Sequence, residues 1–249
     1  MTHTLPANLL TKRVSVHLIG CGGTGSMILQ GLGRLHLSLL AYHHPGLHIT
    51  AYDPDTVSPS NIGRQLFSRA ETSQHKAITL IQKINLFYET DWTAQPTLYP
   101  LSFQDFKTPD IIISCADNVR TRKQIHKMFS KSQSPPYWLD CGNRLEDGQV
   151  ILGNFRDLPN VVQLYPLMDD TDENIPSCSL AEALTKQSLM INPIVANYAI
   201  HLLSTLFKGT ITTHGTFINL TSGRTSPLPI DPKIWKRINP KYKPQPKGA

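Results

Sequence analysis

Gly20-Cys21-Gly22-Gly23-Thr24-Gly25-Ser26 follows the apolar run Val14-Ser15-Val16-His17-Leu18-Ile19 and precedes a helical pattern from about Ser26 to Leu40. A strand, a glycine turn and a helix in that order direct backbone N–H groups at one point, where a phosphate can rest on the helix N-terminus. Gly20, Gly22 and Gly25 permit the tight turn and the close approach of the phosphate, and Gly23 lies inside the same turn. By itself the turn suits a dinucleotide as well as ATP.

The residues downstream separate the two. A second strand, Leu47-His48-Ile49-Thr50-Ala51-Tyr52-Asp53, ends in a carboxylate placed to accept hydrogen bonds from ribose hydroxyls, which NAD would use equally well. After it, Asn61, Arg64, Gln65 and Lys76 supply donors and two positive charges. Hydride transfer has no need of two cations there, whereas a triphosphate losing pyrophosphate does, because charge builds on its oxygens. Asp117 stands just past a buried strand, Asp110-Ile111-Ile112-Ile113-Ser114-Cys115, where a carboxylate could hold Mg²⁺ at the ligand-binding edge of a sheet.

The remaining pattern alternates helix and strand. Helical stretches are expected at 62–70, 74–88 and 118–130, a weak edge strand at 97–100, and a strand at 137–141. Beyond Gly142, strands are expected at 149–155 and 210–214 without short crossover helices. Helices are expected at 179–190 and 193–207, the latter with Asn192 as its cap and Pro193 at its first position. The fold class is therefore α/β: a Rossmann-like, mostly parallel sheet with helices on both faces, and a C-terminal part with additional strands and a crossover loop. Residues 1–230 form a single domain, with the crossover loop at about 165–190. Residues 231–249 form a basic Pro/Lys-rich tail that should lack regular helix and could touch an acidic partner or nucleic acid.

With 249 residues, 40% of them hydrophobic and 17% charged, the chain can bury a full core. The first residues lack the pattern of a signal peptide, and no apolar run suits a membrane span, so a cytoplasmic location without membrane association is expected. The four cysteines, at 21, 115, 141 and 178, contain no CxxC pair, so a structural zinc is not expected. Cys21, Cys115 and Cys141 read as small buried apolar residues. His43, His44 and His48, around a Pro-Gly turn, read as solvent-facing, and Trp92, Trp138 and Trp235 as packing residues.

Five ordered motifs together resemble the ThiF/MoeB/HesA family, whose eukaryotic relatives are the ubiquitin-activating enzymes. They are the glycine turn, Asp53-Pro54-Asp55-Thr56-Val57-Ser58, Asn61-Ile62-Gly63-Arg64-Gln65, Gln74-His75-Lys76 and Cys115-Ala116-Asp117-Asn118-Val119-Arg120. The resemblance runs from about residue 13 to 208. It implies an ATP-dependent adenylation of the C-terminal carboxylate of a ubiquitin-like or sulfur-carrier protein ending in Gly. By it, Asp53 holds ribose, Arg64 and Lys76 contact phosphates and Asp117 binds magnesium. Asp55, Asn61, Gln65 and Asn118 of the same motifs join the nucleotide-binding candidates. The segment Ser177-Cys178-Ser179-Leu180-Ala181-Glu182-Ala183-Leu184 looks most like family members of bacterial gene clusters, including the PRTRC type.

The chain departs from that family in lacking the paired CxxC zinc ligands and an evident N-terminal arginine-bearing helix. Lys12 and Arg13 are the only Lys or Arg residues before the first strand. Homodimerisation is implied by the resemblance. Cys178 precedes a helix whose Ser179 and Glu182 have capping-box spacing, and a helix N-terminus favours thiolate. Asp169, Asp170, Asp172 and Glu173 oppose that effect. Relatives that form a thioester carry a cysteine in a comparable loop, so Cys178 is the candidate acyl acceptor, passing its cargo to a conjugating protein or a sulfur source. The competing readings are adenylation of a small or tRNA-linked carboxylate, a Rossmann oxidoreductase, and a non-catalytic scaffold.

Overall fold

The computed structural model describes residues 1–99, 107–116, 118–166 and 187–243. An eight-stranded sheet carries the fold, in the order β10-β9-β7-β6-β5-β2-β3-β4. Here β2 is Val14–Ile19, β3 Leu47–Tyr52, β4 Thr93–Gln95, β5 Ile111–Ser114, β6 Tyr137–Asn143, β7 Asp147–Gly153, β9 Thr213–Asn219 and β10 Arg224–Pro229. The five strands from β6 to β4 pair in parallel, and β6-β7, β7-β9 and β9-β10 pair antiparallel. A separate two-stranded ribbon joins β1, His3–Thr4, to β8, Thr210–Ile211.

The parallel half explains where a ligand belongs. From β2 the chain passes through α2 (Gly23–Ala41) to β3 on one side, then through α3 (Lys76–Tyr88) to β4. It then returns to β5 on the other side of β2, and α4 (Val119–Phe129) leads on to β6. Right-handed crossovers running in opposite directions put their helices on opposite faces. Accordingly α2 packs between α3 and α6 (Ile191–Phe207), while α4 packs against the short α5 (Val161–Leu164). The order reverses between β2 and β5, which opens a crevice outside their carboxyl ends.

The central strands are apolar because both faces are covered. Val16, Leu18, Ile49, Ile111, Ile112, Ile113 and Leu139 are all buried. One ion pair lies among them: Arg122 Nε of α4 donates to Asp140 Oδ1 of β6 at 2.8 Å. The same oxygen accepts from Ser114 Oγ at 2.7 Å, and Trp138 Nε1 donates to Ser114 Oγ. The two helices α2 and α6 approach closely, since a Cβ on Gly31 would lie 2.5 Å from Ile200.

Several expectations need correction. Residues 62–70 are not a helix: two single 3₁₀ turns, Pro59–Asn61 and Arg69–Glu71, bracket an irregular loop bent at Gly63 (φ +83°). The edge strand is Thr93–Gln95 rather than 97–100, because that segment carries the register beside β3. Helix α6 starts at Ile191, so Asn192 lies inside its first turn, with Pro193, rather than capping it. His44 is buried, its Nε2 donating to Leu9 O at 2.8 Å while Nδ1 accepts from Gly46 N–H. The C-terminal segment forms a helix, α7 (Pro232–Ile238), capped by Asp231 and seated by the buried Trp235. Pro232 sits in its first turn, where a missing N–H costs no helical hydrogen bond. Cys178, the acidic loop 169–173, residues 179–186 of the helix expected at 179–190 and Asp117 fall outside the described residues, while residues 187–190 form a turn rather than helix.

Candidate functional site

The turn after β2 is built backward from its glycines. Gly20 takes φ +89°, a left-handed conformation that strains other residues, and a Cβ there would lie 3.1 Å from Cys115 O. Gly25 has no room at all, as a Cβ would lie 1.9 Å from Gly20 O. The turn then enters α2, whose first N–H groups have no partner within the helix and point at the crevice between β2 and β5.

Asp53 latches this turn. Its Oδ2 accepts the Cys21 N–H at 2.6 Å and its Oδ1 the Asp55 N–H at 2.8 Å. Burial pushes its carboxyl up, against these two N–H groups and the nearby Lys76, which pull it down. Burial likewise pushes the Cys21 thiol well up, and the Cys115 contact together with burial does so for Cys141. Both are buried and neutral, Cys21 within the turn and Cys141 inside β6.

The loop after β3 brings in the cations. Lys76, at the first position of α3, is buried and donates to the exposed Asp55 carboxylate at 2.9 Å. Asn61 Oδ1 accepts the Ser58 N–H, closing the first 3₁₀ turn. Gln65 lies against the glycine turn, since a Cβ on Gly22 would lie 3.9 Å from Gln65 Nε2, and Arg64 precedes it on the same loop. Two of their polar atoms are buried without a partner, Arg64 Nε and Gln65 Oε1. Burial lowers the Arg64 pKa, which is the electrostatic mark of a cation short of a counter-charge. Orphaned buried polar groups are rare in folded proteins and point to an absent ligand.

Around the crevice outside β2 and β5, the structure joins Asp53, Asp55 and Lys76 to the turn of Gly20, Gly22, Gly23 and Gly25 and seats Gln65 against Gly22; Asn61 and Arg64 lie on the same loop as Gln65. Asn118 stands at the edge of the crevice as the cap of α4, accepting the Thr121 N–H at 2.8 Å. Lys12 and Arg13 lie at the opposite, amino edge, paired with Asp110 and Asp91. Among the described residues, no three His, Cys, Asp or Glu side chains are grouped to hold a metal ion.

Residues 8–237 match the sequence profile of the ThiF family. The chain belongs to the ThiF family. It is 28% identical over 180 residues to human ubiquitin-like modifier-activating enzyme 6, covering 68% of this chain and 16% of that one. It is 25% identical over 233 residues to adenylyltransferase and sulfurtransferase UBA4 of Yarrowia lipolytica, covering 92% of this chain and 54% of that one. It therefore spans about half or less of the length of these relatives. Among solved structures, Escherichia coli MccB with MccA superimposes with a TM-score of 0.64 at 14% identity, over 90% of this chain and 66% of that one. PaaA superimposes at 0.61 and 14%, over 89% and 65%. At such identity these neighbours establish the ThiF-type fold alone.

The ThiF-family crevice also holds residues that the sequence did not single out. Thr24 Oγ1 donates to Asn192 Oδ1 at 2.9 Å, and Asn143 Nδ2 donates to the same oxygen at 3.1 Å. Asn192 Nδ2 donates to Gln187 Oε1 at 3.4 Å, and Arg64 Nη1 donates to that oxygen at 2.5 Å. Asn192 fills the space above Gly23, whose Cβ would lie 2.6 Å from it. The one signal in the sequence was the pair Asn192-Pro193, which local rules assign to a helix cap.

Proposed function

We propose that this chain is an ATP-dependent activating enzyme that adenylates the C-terminal carboxylate of a ubiquitin-like or sulfur-carrier protein. The observation that carries this reading is Arg64, a half-buried guanidinium whose Nε is buried without a partner and which is linked through Gln187 and Asn192 to Thr24 of the glycine turn. A polyphosphate has the charge and the acceptor oxygens that Arg64 Nε and the turn's N–H groups lack. The functions of these relatives, ubiquitin-like modifier activation and adenylyl transfer, support the same chemistry.

In this reading a carboxylate oxygen attacks the α-phosphorus, an acyl-adenylate forms and pyrophosphate leaves. The chain's own part is to hold charge. Arg64 and Lys76 face the phosphate oxygens, the α2 N-terminus adds backbone donors, and Asp53 offers its remaining lone pairs to ribose. Asp55, Asn61, Gln65 and Asn118 shape the rest of the crevice. Asp117, directly before the α4 cap, is the candidate holder of Mg²⁺, which would supply further charge neutralisation when bound. Homodimer formation and capture of the acyl group on the Cys178 thiol, with AMP as leaving group, complete the proposal.

The test is ATP–pyrophosphate exchange with magnesium, with and without small Gly-ending proteins. Exchange that depends on one such protein and falls at least a hundredfold in Arg64→Ala is expected, about the loss seen when a transition-state charge donor is removed. ATP binding without exchange for any protein carboxylate would shift the substrate to a small or tRNA-linked carboxylate.

A further inference from the structure

We propose that Gln187 is a positioning residue for Arg64, and that Asn192 holds Gln187 in that role. The assignment rests on reading the crevice as an ATP site.

The two cations of the crevice are held in different ways. Lys76 is tied to a carboxylate, Asp55, so part of its charge is already met. Arg64 is tied to a neutral amide oxygen, Gln187 Oε1, which fixes the direction of the guanidinium without cancelling its charge. Its Nε edge stays buried and unpartnered, the geometry of a cation aimed at an anion not yet present.

Gln187 can do this only if its own side chain is fixed. Its Oε1 also accepts Asn192 Nδ2, and Asn192 is 1% exposed. Asn192 Oδ1 in turn takes Thr24 Oγ1 and Asn143 Nδ2. Thr24 belongs to the first turn of α2, so the chain of hydrogen bonds runs from the helix that offers its N–H groups to the arginine that offers its charge. Both donors are thereby set in one frame, spanning α2, β6 and α6. A free arginine side chain would have to lose rotamer freedom when the phosphate arrives; one held in advance loses less.

Substitution at Gln187 should therefore change affinity for the phosphates and not for the nucleoside. The experiment is titration calorimetry of ATP and of adenosine with the full chain, in the wild type, Gln187→Met, Gln187→Glu, Arg64→Ala and Arg64→Ala/Gln187→Met. Gln187→Met should weaken ATP about tenfold, the scale of one hydrogen bond to a charged group, and leave adenosine unchanged. Gln187→Glu should weaken ATP further at neutral pH, because a carboxylate now neutralises Arg64. In the Arg64→Ala background, Gln187→Met should have no further effect on ATP. Parallel losses of ATP and adenosine, an unchanged ATP affinity in Gln187→Met, or an equal loss with and without Arg64 would each overturn the assignment. A wild type that binds adenosine and ATP equally would overturn the reading of the crevice itself, independently of Gln187.

Discussion

Gly25 has less latitude than any other residue of the turn. With a Cβ 1.9 Å from Gly20 O, the turn must open before any side chain fits, and the obstacle is backbone rather than a side-chain tip that can swing away. Gly25→Ala is expected to destabilise the fold by about 1–3 kcal/mol, the usual cost of overpacking, and to displace the α2 N-terminus from the crevice. Urea unfolding and ATP titration check both parts; a variant of wild-type stability and affinity would show that the turn is looser than its contacts. Asp53 sits at the same scale with a different task. A carboxylate at a strand end reads as a ribose acceptor, but here one oxygen holds the glycine turn at Cys21 and the other holds its own loop at Asp55.

At the scale of elements, α4 is fixed to β6 by Arg122 and Asp140, both almost inaccessible to water. A buried pair of this kind adds modest net stability, yet removing one partner strands the other charge. Arg122→Met is expected to cost about 3–5 kcal/mol. Adding Asp140→Asn should recover most of that loss, because the amide oxygen still accepts from Ser114 Oγ while no charge is left stranded. Denaturant midpoints for the two single variants and the double variant measure this; equal losses in Arg122→Met and the double variant would mean that packing, not charge, dominates. The α2–α6 contact belongs to this scale too, since Gly31 and Gly23 let α6 bring Asn192 over the glycine turn.

For the molecule as a whole, stability depends on pH through buried imidazoles. His214 of β9 donates from Nδ1 to Leu152 O at 2.7 Å, and its Nε2 accepts Trp235 Nε1–H at 2.8 Å, so a neutral ring joins β7 to α7. Burial lowers its pKa to about 4, and does the same to His17. A histidine depressed in the folded state contributes fully above its unfolded pKa of about 6.5, and that contribution is lost as pH falls toward 4. Each ring accounts for about 3 kcal/mol of lost stability across that window. Urea unfolding at pH 7.5 and pH 4.5 should show the fall, and His214→Gln should make it shallower. A slope unchanged by His214→Gln would mean that the ring titrates normally. No described helix is long and apolar enough to cross a membrane.

Local signals in the chain were sufficient for the parallel half of the sheet and for the glycine turn and the carboxylate beside it. Apolar runs of strand length, glycines at fixed offsets and a carboxylate at a strand end each report on their own neighbourhood, and β2, α2, β3, α3, β5, α4 and β6 form where those patterns lie. Residues 62–70 misread as helix because apolar spacing says nothing about Gly63, whose φ of +83° turns the chain ahead of Gln65, which lies against Gly22. The helix over Pro232–Ile238 was hidden for a similar reason: its basic, proline-rich composition argues against order, and burial of Trp235 on His214 together with the Asp231 cap stabilises it. The tertiary structure alone decided the frame of Thr24, Asn143, Gln187 and Asn192. These residues are far apart in the chain, and their amides and hydroxyl acquire partners only when α6 packs across α2 and β6, a contact between distant segments that no local pattern encodes.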